Sequence, residues 1–161
     1  MVNGAVERMT EVTWSSATDA EEIIAFLRAE RGKHRDHAFV PPRAVERCVR
    51  FGQAWVAHDS AGVAGIALGS RKTLWNLIIR EDLRGLGLGR FFLSLHRFPN
   101  VRAKVSSDKR IGSPIGFYER LGYWTLGDVP STMGKKTIVL MSRVQRRLPD
   151  GNGTHERRRR R

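Results

Sequence analysis

Three glycines alternate with leucines in Arg84-Gly85-Leu86-Gly87-Leu88-Gly89-Arg90, between an extended apolar run and a helical one. No other segment constrains the fold so strongly. Upstream, Leu74-Trp75-Asn76-Leu77-Ile78-Ile79 has the composition of a β-strand, and downstream Leu88, Phe91, Phe92 and Leu95 share one helical face. In a strand, glycine loop and helix, bare Cα positions let a ligand approach the backbone, and the first amides of the helix point at its negative charge. A Walker loop ends in Gly-Lys-Ser/Thr to hold phosphate and magnesium, but here Gly89 is followed by Arg90 and Phe91. A dinucleotide fingerprint requires a glycine or alanine where Arg90 stands, and its strand opens a βαβ unit rather than closing a meander. What remains is Arg84-x-x-Gly87-x-Gly89, a phosphate loop of a third kind.

The flanking pattern predicts a mixed sheet with helices on its faces, an α/β class with about four helices. Glu11 to Trp14 reads as a first strand. Thr18-Asp19-Ala20-Glu21 has capping-box spacing before a helix through Ile23, Ile24 and Leu27. Pro41-Pro42 opens a second helix through Val45, Cys48 and Val49 that ends near Gly52. Strands at 54–57, 63–68 and 74–79 form a meander. The strand at 100–105 follows the glycine-loop helix and is therefore parallel to 74–79. Ser113 and Pro114 start a short helix closed by Gly122, and 123–126 with 137–141 make a final hairpin.

Composition narrows the class. With 161 residues, 40% of them hydrophobic, the chain is expected to bury one core. The longest apolar stretches, such as Val63 to Leu68, are far short of the ~20 residues a membrane helix needs, and the start lacks a secretory h-region. The lone Cys48 sits at helical spacing among valines, so it reads as a reduced core residue of a cytoplasmic protein, with no cysteine-based metal cluster. Net charge is +13, and the last 19 residues carry +6 of it, through eight arginines set against Asp150 and Glu156. The expected organisation is a flexible 1–9, a domain over 10–148 and a basic, disordered tail over 149–161. Arg157 to Arg161 is also what a nucleic-acid-binding arm looks like.

Two segments together carry a family resemblance: Leu77-x-Ile79-x-x-x-x-Arg84-Gly85-x-Gly87-x-Gly89, and Gly116-Phe117-Tyr118-Glu119-Arg120-Leu121-Gly122-Tyr123 about 30 residues later. With the matching element order they resemble the GNAT superfamily of acetyltransferases over about residues 10–143. The resemblance implies acetyl-CoA as co-substrate in a wedge where strands 74–79 and 100–105 splay. Leu77, Ile78 and Ile79 would face its pantetheine arm, with the backbone of Leu77 and Ile79 pairing to it. Arg84, Gly85, Leu86, Gly87, Leu88, Gly89 and Arg90 would hold its pyrophosphate. Tyr118 matches the family's general acid, which protonates the departing thiolate, and the Ile79 amide is the candidate oxyanion donor. The sequence departs from the family at Ile111, where members often carry Asn, and at Glu81, where many carry Pro.

An alkyl ammonium acceptor must lose a proton before it attacks, and Glu81, Asp82, Asp108, His58, His34 and His37 are candidate bases. His34-x-x-His37 lacks a third metal ligand in sequence. In the family the acceptor site is lined by the first helices and their connection, here 28–43, where Arg28, Arg31, Lys33, Arg35 and Arg43 face only Glu30 and Asp36. A cationic window fits a phosphate- or carboxylate-bearing amine, including an aminoacyl-tRNA or a modified nucleobase, better than a polyamine. The expected activity is N-acetylation of a primary amine by a monomer or homodimer. A nucleic-acid-directed member, or a non-catalytic scaffold attached to nucleic acid by its tail, is the alternative.

Overall fold

The computed structural model describes residues 12–33, 40–105, 114–129 and 137–143. Seven strands, β1 (Thr13–Ser16), β2 (Ala54–Asp59), β3 (Gly62–Gly69), β4 (Thr73–Ile79), β5 (Asn100–Val105), β6 (Trp124–Val129) and β7 (Thr137–Ser142), form one sheet in the order β1-β2-β3-β4-β5-β7-β6. Only β4 and β5 pair in parallel. The crossover between them holds a 3₁₀ turn (Glu81–Leu83), the glycine loop and a helix, as the sequence required. The mixed α/β class is therefore the observed one.

Among the described residues four α-helices cover the two faces: α1 (Ala20–Lys33), α2 (Pro42–Arg50), α3 (Leu88–Leu95) and α4 (Ile115–Glu119). Asp19, rather than the Thr18 of a capping box, accepts the Glu21 amide at 2.8 Å and caps the start of α1. On one face, Ile23, Ile24 and Phe26 of α1 and Val45 and Cys48 of α2 pack on Val56, Ile66, Leu68 and Ile78. Cys48 is buried there, and burial pushes its thiol up, so it behaves as an inert apolar group. On the other face, Phe92 and Leu93 of α3 and Tyr118 of α4 meet Leu74, Val101, Val139 and Met141. Truncating a fully buried aromatic such as Phe92 costs about 3–5 kcal/mol, so both helix layers hold the sheet firmly.

A bulge in β4 shapes the site. Leu68 pairs with Asn76 and Gly69 with Leu74, leaving Trp75 as an extra residue. The pleat inverts across it: Leu74 and Leu77, three residues apart, pack on the same face, while Trp75 and Ile78 pack on the other. The bulge bends β4 away from its parallel neighbour, and the β4–β5 register runs only through Thr73–Asn100 and Leu74–Val101. Beyond Leu74 the two strands splay, opening a wedge at their carboxyl ends.

Two differences from the sequence reading are local. β1 begins two residues later than expected, and β7 inserts between β5 and β6, so the final hairpin joins the sheet through its second strand. Ser113 and the 1–9 and 149–161 segments lie outside the described residues. No helix among the described residues is long and apolar enough to cross a membrane.

Candidate functional site

A cavity of about 570 Å³ lies at the open end of the wedge, and both sequence motifs line it. Leu77 and Ile79 form one wall, the whole loop from Arg84 to Arg90 a second, and Phe117, Tyr118, Arg120 and Leu121 a third. Segments some 30 residues apart in sequence meet there because α3 and α4 pack on the same sheet face.

The backbone of β4 is oriented for an added ligand strand. The Arg80 amide donates to the Ala64 carbonyl at 2.9 Å, and Ile78 lies opposite Ile66. Antiparallel ladders alternate, so Ile78 and Arg80 spend their polar groups on β3, whereas those of Leu77 and Ile79 turn toward the splay. Ile78 therefore differs from its sequence assignment: its backbone faces β3 and its side chain is buried in the opposite core layer.

The loop has the geometry of an anion cradle. Gly87 stands at the start of α3 with φ of 92°, a left-handed conformation that an L side chain resists, and no side chain caps the helix. The amides of the first turn therefore have no acceptor within the helix and face the cavity end. Gly89 packs tightly, since a Cβ there would sit 3.3 Å from the Phe117 ring and 3.4 Å from Leu77. Arg90 and Arg120, both exposed, add positive charge to the walls, and no carboxylate is among the described residues that line the cavity.

Arg84 lines the cavity and also makes bonds that its position did not imply. Its Nε donates to the Ile79 carbonyl at 2.9 Å, and a terminal nitrogen reaches the buried Glu30 carboxylate of α1 at 3.0 Å. The guanidinium thus ties the loop, the splayed strand end and the first helix together, leaving the Ile79 amide as that residue's polar group toward the cavity. Glu30 was missed as a site residue, although Ile23, Leu27 and Glu30 follow at i, i+4, i+7 and put an acid on the inward stripe of α1. Because Arg84 is 36% exposed and Glu30 only 2%, the pair is worth less than a fully buried one. Arg84→Met should cost about 2 kcal/mol and lower the melting temperature by about 5 °C in a thermal scan.

The two tyrosines diverge. Tyr123 donates its hydroxyl to the Phe98 carbonyl at 2.7 Å, a structural bond. Tyr118 is buried against Phe117 and Tyr123, lines the cavity, and has its phenol pushed well above the usual tyrosine range by desolvation and then by Tyr123. It keeps its proton at any physiological pH. The described candidate bases do not gather at the cavity: His58 bonds Glu22 at 2.7 Å, and Asp82 joins Asp59 on the Arg80 guanidinium, which holds both carboxyls below their usual range. Glu81 is exposed in the 3₁₀ turn. His34, His37, Asp108 and Ile111 lie outside the described residues. Among the described residues no cluster of three His, Cys, Asp or Glu side chains is placed to hold a metal.

No sequence-family model matches the chain, and no curated protein matches it by sequence. Solved structures do match it in fold. Diaminobutyrate acetyltransferase EctA from Paenibacillus lautus, in complex with L-2,4-diaminobutyric acid and coenzyme A, is 12% identical with a TM-score of 0.63, over 86% of this chain and 99% of its own. Ard1 from Thermoplasma volcanium is 19% identical with a TM-score of 0.60, over 81% and 96%. Arabidopsis thaliana Naa50, in complex with the bisubstrate analogue CoA-Ac-MVNAL, is 13% identical with a TM-score of 0.58, over 82% and 98%. The chain has the fold of the GNAT acetyltransferases.

Proposed function

We propose that the protein is an acyl-CoA-dependent N-acetyltransferase that moves an acetyl group from acetyl-CoA to a primary amine. The observation that carries this reading is the single cavity joining the uncapped glycine loop, the outward-facing backbone of Leu77 and Ile79, and a protonated Tyr118. A fold supports many chemistries, so the site bears the argument rather than the fold alone. The solved neighbours that hold coenzyme A or a CoA conjugate support the choice of co-substrate.

In this reading the loop amides and Arg90 bind the pyrophosphate of acetyl-CoA, and the pantetheine arm pairs with β4 as an extra strand. The amine attacks the thioester carbonyl, and the Ile79 amide stabilises the oxyanion that forms. Collapse of the tetrahedral intermediate breaks the carbon–sulfur bond, and the Tyr118 phenol gives its proton to the leaving thiolate. Holding the two reactants in register supplies much of the acceleration. The general base is one of the candidate acids and histidines or a water chain leading to the amine.

The amine is proposed to carry a phosphate or carboxylate. Arg28, Arg31 and Arg43, on the helices that flank the acceptor side in this family, are all exposed, and a polycation would be repelled there. The reaction is tested by release of free CoA thiol with a panel of amines: a diamino acid, a peptide with a free N-terminus, spermidine and an aminoacyl-tRNA. Turnover with an anionic amine above that with spermidine is the expected result. Failure to release thiol with every acceptor, despite bound acetyl-CoA, would leave the non-catalytic scaffold as the better reading.

A further inference from the structure

A second cavity, of about 330 Å³, lies at the other end of the sheet. It is lined by residues at the start of β2, by the β3–β4 turn and by the segment joining α3 to β5, all at the amino ends of the parallel strands. The seven residues of β4, at about 3.3 Å each, separate it from the wedge by about 20 Å. It therefore shares no wall with the acetyl-CoA site proposed above.

Its chemistry is specific. Trp55, His96 and Phe98 form an aromatic cluster beneath the cavity, Trp55 lying 5.1 Å from His96 at 50° and edge-on to Phe98, 5.4 Å away at 86°. Phe51 stands at the rim, 60% exposed, which is unusual for so large an apolar side chain. Arg71 and Arg97 flank the cluster from two different segments, both exposed, and neither has an acidic partner among the described residues. No carboxylate is among the described residues that line the cavity. Burial lowers the His96 pKa, so at neutral pH its ring presents a neutral π-face. Exposed Arg50 and Lys72, next in sequence to Phe51 and Arg71, extend the positive surface past the cavity mouth.

An exposed aromatic ring at the rim takes a planar ring, guanidinium groups on the walls take an anion, and the size falls at the lower end of small-molecule sites. We infer that this cavity binds a nucleotide unit, its base against the exposed Phe51 ring and its phosphate between Arg71 and Arg97. Base stacking on aromatics combined with a cationic surround is how proteins hold single strands without reading sequence. The unit is supplied either by a free nucleotide or by a single-stranded nucleic acid whose neighbouring phosphates run over Arg50 and Lys72.

The test uses the full chain, so that the arginine-rich tail contributes equally to every variant. Fluorescence anisotropy with a short labelled oligothymidylate and calorimetry with AMP are compared for the wild type, Arg71→Ala/Arg97→Ala and Phe51→Ala, all exposed positions that the fold tolerates. The double variant should weaken binding about tenfold and flatten the log–log salt slope for the oligonucleotide by about 0.7, the value for one phosphate contact. Phe51→Ala should weaken binding about fivefold, and acetyl-CoA affinity should not change in either variant. Sensitivity with AMP identifies a free nucleotide as ligand, and sensitivity with the oligonucleotide alone identifies a strand. Binding that is absent, insensitive to both variants, or displaced equally well by polyglutamate overturns the inference.

Discussion

Tyr118→Phe should reduce acetyl transfer by about a hundredfold or more while leaving acetyl-CoA affinity within twofold of wild type. The substitution removes one oxygen and keeps the ring, so the packing against Phe117 and Tyr123 survives and the melting temperature should hold. What disappears is the proton for the leaving thiolate. Because burial raises the phenol above the ordinary tyrosine value of ~10, it remains a donor across the working range, and its titration should not limit the rate below pH ~10. The wild-type rate should instead climb with pH as the acceptor amine, with a pKa near 10, loses its proton. The same shift carries a stability consequence. A group whose folded pKa lies above its unfolded value contributes stability that is lost as pH rises past the unfolded value. The wild type should therefore lose more stability above pH ~10 than the phenylalanine variant does. An unchanged turnover in Tyr118→Phe would remove the residue from the chemistry.

Gly87→Val should raise the acetyl-CoA dissociation constant at least tenfold. At φ of 92° a β-branched side chain pays about 1–2 kcal/mol or more, and the loop relieves that strain by rotating the amides that form the anion cradle. Gly87→Asn is the informative partner, because asparagine tolerates the left-handed region and should keep most of the affinity. Calorimetry on the two variants separates conformation from the mere presence of a side chain. Equal losses in both would mean that space at Gly87, rather than its backbone angle, matters.

Much of the site was legible in the sequence because its determinants are local. A strand, three spaced glycines and an apolar helix face specify the cradle without any long-range information, and the parallel β4–β5 pair follows from the crossover. Tyr118 was legible through the segment around it. The splay was not, because a bulge depends on which residue pairs with which across β3 and β4. Its trace was present in the spacing, since Leu74 and Leu77, three apart, cannot share a face in a regular strand. Arg84 illustrates the other limit. From its position it reads as a phosphate ligand, yet its guanidinium turns to Ile79 and to Glu30, a residue 54 positions earlier in the chain. Ile78 likewise belongs to the strand end by sequence, and only the pairing phase with β3 shows that its polar groups point away from the wedge. The insertion of β7 between β5 and β6 is also a matter of pairing rather than local pattern.

The wedge between β4 and β5 is proposed to hold acetyl-CoA by its phosphates and to present its thioester to Tyr118. Isothermal titration of the full chain with acetyl-CoA tests it most directly. One molecule should bind per chain, desulfo- or acetyl-CoA should bind alike, and removing the pyrophosphate and adenosine to leave acetyl-pantetheine should weaken binding at least a hundredfold. No measurable binding of acetyl-CoA, or equal affinity for acetyl-pantetheine, would contradict the account.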